Sequence, residues 1–383
     1  MKPRSLLPAL LALAFAAGCG DGDTTPMRPT VLTATPPPGF PAMRIPADNP
    51  FTREKAELGR YLFYDRRLSG NQTQSCGSCH RQSLAFTDGR AVSEGSTGDR
   101  TPRGAMSLVN VGYTVTLTWA NATLRQLERQ ALVPMFGERP VELGLAGMEA
   151  AMLERLRADA RYPGMFRAAF PGQAEPISLD HVTKAIATFE RAILGADSPY
   201  DRSQRGESGA LSASARRGMD LYFGERLECF HCHGGFNLTD AVVTAATRIE
   251  ETPFHNTGLY NVDGDGAYPA SNTGVHEVTQ GASDMGRFRA PTLRNIALTA
   301  PYMHDGSIAT LEGVIDHYAA GGRTIASGPN AGVGSASPLR SEFVRGFILD
   351  PRERADLIAF LQALTDDALV RDPRFSDPFG NEL

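Results

Sequence analysis

The chain has 383 residues, 42% of them hydrophobic, with 26 prolines and 39 glycines, which fits a globular protein of about two domains rich in long loops. Its 38 basic and 43 acidic residues give a net charge of −5 with no basic cluster, so nucleic-acid binding has no electrostatic footing.

At the N-terminus, Lys2 and Arg4 precede an apolar run from Leu6 to Phe15, then Ala16-Ala17-Gly18-Cys19. The run is too short to span a bilayer and has the flanks of an export signal. Small residues directly before a cysteine resemble a bacterial lipoprotein box, which implies cleavage before Cys19 and lipidation of its thiol. Ordinary cleavage near the same place is the alternative, since Ala rather than Leu holds the outer box position. Either cut removes Lys2 and Arg4 and takes the net charge from −5 to −7. Residues 1–18 are therefore expected as the signal. Residues 19–48, rich in Pro, Thr and Gly, are expected as a disordered tether.

Thr52 caps the first predicted helix, in which Leu58, Tyr61 and Leu62 share an apolar face. Cys76-Gly-Ser-Cys79-His80 follows on a turn, then a loop-rich region to about Gly112. Helical patterns run over about 123–132, 146–158 and 179–194, the last with Val182, Ile186, Phe189 and Ile193 on one face. Ser198-Pro199-Tyr200-Asp201 reads as its end and as a domain boundary. Ser212 caps a helix over 213–223, which delivers Cys229-Phe-His-Cys232-His233. Residues 237–284 read mostly as loop. The segments 288–304 and 310–318 follow, and a last helix covers about 351–364. The recurring order of helix, Cys-x-x-Cys-His and loops predicts a mainly α protein. It would have two cytochrome c-type haem domains, at 49–205 and 206–383, with long irregular loops.

Two thiols three residues apart, followed at once by an imidazole, form the attachment site of a c-type haem. Zinc would not need His beside the second Cys in both copies, and a redox dithiol would not need it at all. Four thiols then go to haem and Cys19 to lipid, leaving none for disulfides or a free nucleophile. Export agrees with this chemistry, because haem c is attached outside the cytoplasm.

The segment from about Phe51 to Leu364 resembles bacterial di-haem cytochrome c peroxidases. The resemblance is carried by the two haem motifs, by Arg289-Ala-Pro-Thr-Leu-Arg-Asn295, and by Thr299-Ala-Pro-Tyr-Met-His-Asp-Gly306. In ordinary members of that family the second haem takes a Met ligand 14 residues beyond the His of this turn. Here that position is Tyr318. Tyrosine ligation marks the MauG branch, whose members oxidise residues of a partner protein. Met303 and His317 are the rival ligands. Met303 sits in the turn itself, and His317 should point about 100° away from Tyr318 on a helix. The stretches Leu117–Asn121 and Val133–Gly144, with the lipoprotein-like start, are similar to MbnH-like enzymes. Those act on a small copper-binding partner and convert a Trp to kynurenine.

The resemblance implies roles for particular residues. His80 holds a peroxidatic haem with an open distal face. Glu142 shuttles the proton during peroxide cleavage, with Gln130 and Pro134 lining the pocket. The eight residues from Pro134 to Glu142 exceed the family spacing, so Gly137–Arg139 looks inserted and Glu138 is a rival acid–base. His233 and Tyr318 ligate the second haem, where a phenolate favours a stored oxidising equivalent and a two-haem Fe(IV) state. Trp119, the single Trp, matches the family's inter-haem indole. Asn110, Thr299 and Pro301 match an inter-domain calcium site, a hard-cation set of oxygens. His304 and Arg294 are expected as structural or propionate contacts, and His181, His255 and His276 as surface or satisfied histidines.

The implied protein is a periplasm-facing enzyme, lipid-anchored at Cys19 to the outer membrane, with two haem c and one calcium. It would use hydrogen peroxide to oxidise a residue, expected as Trp, of a small exported copper-binding protein by long-range electron transfer. A plain di-haem peroxidase drawing electrons from a small cytochrome or copper protein is one alternative. A non-catalytic di-haem electron carrier is another, and would need a second strong ligand at the first haem.

Overall fold

A computed structural model of the chain describes residues 36–380; the expected export signal, Cys19 and most of the expected tether lie outside them. Two helix pairs carry the architecture. Arg53–Tyr64 packs on Leu179–Ala192, and Ala213–Tyr222 packs on Pro351–Gln362. The Thr52 hydroxyl accepts from Lys55 N–H and that of Ser212 from Ala215 N–H, caps worth about 1 kcal/mol each. A glycine lies at each crossing. A Cβ on Gly59 would sit 2.0 Å from the Ala185 carbonyl oxygen, and one on Gly218 would sit 1.9 Å from that of Asp356. The described strands are two residues each, Thr324–Ile325 paired antiparallel with Gly332–Val333.

Each helix pair buries its apolar stripe in its own cluster. The first gathers Leu58, Leu62, Phe63, Phe86, Ile186 and Phe189, and the second Tyr222, Leu311, Ile315, Leu357 and Phe360. Burying one such side chain contributes roughly 1.5–3 kcal/mol, so these clusters set the positions of the loops between them. The C-terminal tail does not stay with the second cluster. Leu369 and Phe375 join the first, where the Tyr64 hydroxyl donates to the Phe375 carbonyl.

The structure departs from the expected elements in four places. The pattern over 123–132 becomes two short turns, Leu127–Gln130 and Leu132–Phe136. Pro134 lacks a donor and is tolerated within three residues of a helix start, so a new turn begins at Leu132. Ser198–Asp201, read as a terminator, is a capping box that opens Pro199–Gln204. Ser198 Oγ accepts from Asp201 N–H, and the Asp201 carboxylate accepts from Ser198 N–H. Tyr162–Ala169, with a proline in its first turn, was not anticipated. Residues 36–48, expected as the end of the tether, lie against the fold. Phe40 packs edge-on to Tyr113 and Phe236, and the Tyr113 hydroxyl donates to the Pro41 carbonyl. No helix among the described residues is long and apolar enough to cross a membrane.

Candidate haem sites

Each Cys-x-x-Cys is a single helical turn, Cys76–Cys79 and Cys229–Cys232, closed by His80 N–H to the Cys76 carbonyl and His233 N–H to that of Cys229. Residues three apart on such a turn share a face, so both thiols of a pair point the same way. The imidazoles are held by their other nitrogen. His80 Nδ1 lies 2.8 Å from the Phe86 carbonyl oxygen, and His233 Nδ1 lies 3.1 Å from that of Pro291. A carbonyl can only accept, so Nδ1 carries the proton and Nε2 keeps its lone pair for iron. Burial lowers both imidazole pKa values, which keeps the rings neutral.

The first cavity is lined by Cys76, Cys79 and His80 together with Gln130, Pro134, Glu142 and Glu190. The wide spacing of Pro134 and Glu142 is resolved by a turn. Leu143 N–H donates to the Pro134 carbonyl at 2.8 Å, while Glu138 bridges to Val141. The extra residues loop outward, so Glu138 is exposed at the turn and Glu142 re-enters the cavity. Burial raises the Glu142 carboxyl above the ordinary glutamate range. Glu190 was missed. Its position, four residues after Ile186 on the apolar stripe, was the available signal.

The second cavity is lined by Cys229, Cys232, His233, Tyr318, Met303 and Trp119 among others, and His317 is not in its wall. His317 is buried one position along the same helix, Leu311–Ala319, with its ring at 72° to that of Tyr318. Burial pushes the Tyr318 phenol well above its ordinary value. The Trp119 indole N–H donates to the Gly104 carbonyl at 2.8 Å, and the Trp119 carbonyl accepts from Arg289 N–H. Thr87 and Asp88, which directly follow the Phe86 that holds His80, also line this second cavity. One loop thus serves both sites.

Polar groups in the second wall are arranged for a charged guest. Burial lowers the Arg289 guanidinium to about 10, against the pull of Asp240. Its side chain donates to the Thr118 carbonyl and contacts the Met106 sulfur. His304, stacked on Phe288 at 3.6 Å, leaves its Nε2 buried and unpartnered. His255, expected as a surface or satisfied histidine, is satisfied by Asp240 at 2.6 Å and also forms part of this wall. Burial opposes its charge, but the bonds to Asp240 and the Cys232 thiol outweigh it and raise it to about 10. His181 and His276 are satisfied by the Pro176 and Gly281 carbonyls.

Arg294 is structural. It forms a buried ion pair with Asp201 at 2.8 Å and donates to the Phe236 carbonyl. Asn110 is buried, its amide bonded to Gly195 and to Asn237, while Thr299 and Pro301 line the second cavity.

Paired thiols beside imidazoles with a free Nε2, in two cavities carrying unsatisfied buried polar groups, fit haem c and define a c-type cytochrome scaffold with two sites. The comparisons agree. The sequence profile of the di-haem cytochrome c peroxidase family matches residues 53–209. The chain is 35% identical to the methylamine utilization protein MauG of Methylorubrum extorquens, over 83% of this chain and 80% of that protein. It is 33% identical to the cytochrome-c peroxidase IdrP1 of a Pseudomonas species, over 96% of this chain and 93% of that protein. A solved MauG-like protein associated with microbial copper homeostasis shares 56% identity and superposes with a TM-score of 0.89, covering 90% of this chain and 99% of that one. The chain belongs to the di-haem cytochrome c peroxidase and MauG family. It is a haem-dependent oxidoreductase, and the family implies two haem c groups.

Proposed function

We propose that this protein is a MauG-type oxidase that uses hydrogen peroxide to oxidise a residue, Trp by preference, of a partner protein at a distance. Tyr318 carries the reading: it stands in the wall of the second cavity where ordinary peroxidases of the family supply Met, and His317 is excluded from that wall. The 56% likeness to a MauG-like protein supports the same branch.

Bound haem would supply the iron that reacts with peroxide and the capacity to hold oxidising equivalents. Within the first site, Glu142 would move the peroxide proton from one oxygen to the other, with Gln130 and Pro134 shaping the pocket. The second site would hold its haem through His233 and Tyr318, the phenol giving its proton to solvent and serving as a phenolate. Trp119, braced by Gly104 and Arg289 in the wall of the second cavity, would couple the sites electronically. A calcium ion at Asn110, Thr299 and Pro301 is retained: Asn110 Oδ1 accepts from Gly195 N–H and keeps a second lone pair for a hard cation. We place the two haem domains at 49–205 and 206–383, with the tail from Leu369 packed back on the first, and the protein in the periplasm with a lipid on Cys19.

A small exported copper-binding protein is the proposed partner, in keeping with the copper-homeostasis association of the MauG-like relative. The test is to incubate the holoprotein, peroxide and such a protein from the same organism, then measure the partner's mass. A mass change localised to Trp supports the reading. An unchanged partner, with peroxide consumed only when a reduced cytochrome is supplied, establishes the ordinary peroxidase. That second reading draws on Met303, which also lines the second cavity, and on the relationship to IdrP1. An electron carrier fits less well, because among the described residues the first cavity's lining offers no imidazole, thioether or amine side chain besides His80.

A further inference from the structure

We propose that Glu190 is a second proton-bearing group of the first haem cavity, a buried neutral acid that supplies a proton for making water from the second peroxide oxygen. The proposal rests on the reading that electrons arrive from a distant partner.

Glu190 is 5% exposed, lines the same cavity as Glu142, and leaves its Oε2 with no hydrogen-bond partner. The neighbouring cation does not neutralise it. Arg191 is turned to Glu128, with contacts of 2.7 and 3.0 Å. From the packed Arg53–Tyr64 helix, Lys55 is bonded to Asn49 and the Pro50 carbonyl, and Tyr64 to the Phe375 carbonyl. A glutamate kept only for packing would have a partner, because an unpaired buried carboxylate costs far more than a neutral acid. Burial accordingly raises this carboxyl to about 8, with Arg191 opposing and Glu128 adding to the shift.

The stoichiometry gives such an acid a task. Reducing one hydrogen peroxide to two waters takes two electrons and two protons. As the O–O bond breaks, Glu142 carries the proton of one oxygen to the other, which leaves as the first water. The remaining oxygen needs two protons and two electrons. Long-range transfer delivers only the electrons, and the protons lost by the partner stay at the partner. Glu190 Oε2–H supplies one proton where it is consumed, and the other comes from solvent; solvent then restores Glu190.

The test compares wild-type holoprotein with Glu190→Gln, and with Glu190→Met should the first fold poorly. Infrared difference spectra should show a carboxylic-acid carbonyl band that both variants lose. A folded-state pKa raised from 4.5 to about 8 means that wild type loses stability as pH climbs through that window, relative to Glu190→Gln, and runs parallel to it above. After peroxide, the phase in which added ascorbate returns the resting spectrum should slow by at least about tenfold in Glu190→Gln. An unchanged infrared band with parallel melting profiles across that window would overturn the proposal, as would an unchanged ascorbate phase. The infrared and melting measurements involve no partner. A partner of unchanged mass with the band intact would therefore count against the oxidase reading and not against Glu190 as a neutral acid.

Discussion

The two cavities are built by the same helix-pair device yet present opposite chemistry to their guests. Beyond His80 the first offers carboxyls and an amide, among them Glu142, Glu190 and Gln130, groups that can handle protons. The second offers Tyr318 and His233, with Arg289 and His255 in its wall and Asp240 behind His255, groups that fix charge and hold a ligand. On the proposed function, the contrast would separate a place where peroxide bonds are broken from a place where oxidising power is stored. The two attachment turns are alike, and the loops around them make the sites unequal.

The contrast can be broken most severely at Tyr318. Tyr318→Met should reduce partner oxidation to background and shift the spectrum of the second haem. Retained oxidation with an unchanged spectrum would remove the ligand assignment. Glu142→Gln strikes the other side and should slow the peroxide reaction by about 10²–10⁴-fold in stopped-flow measurements. Because burial raises the Glu142 pKa, the wild-type rate should climb with pH through a value above that of ordinary glutamate. Glu142→Gln should lose that limb. Arg294→Ala tests the scaffold instead of the chemistry. Leaving Asp201 buried without its partner should cost about 3–5 kcal/mol in denaturant unfolding. The smallest effect belongs to Glu138→Gln, which should stay within about twofold of wild type, since the side chain is exposed at the turn. A large loss there would move the acid–base role to Glu138.

What the sequence made legible follows from how local each feature is. Haem attachment depends on five adjacent residues, so both motifs could be read directly. Thr52 and Ser212 worked as caps because capping needs only the next three residues. Tyr318 could be singled out by its distance from a family turn, but its exposure to the cavity required the helix phase that turns His317 away. Choosing between Glu138 and Glu142 required the outward turn closed by the Leu143–Pro134 bond, which no spacing argument supplies. Glu190, Arg289 and His255 were opaque for a common reason. A buried polar residue looks like a surface one until the elements covering it are known. Only Glu190 carried a hint, a carboxylate on an otherwise apolar stripe. Ser198 gave the opposite lesson, since a Ser-Pro-x-Asp stretch that reads as a terminator opens the next helix, the preceding one having ended at Ala192.

The unequal division of labour is tested most directly by adding peroxide to the fully oxidised holoprotein, with no electron donor, and recording Mössbauer spectra. The account predicts that both iron signals change together. A change confined to the first site, or one that appears only after half-reduction, would contradict it.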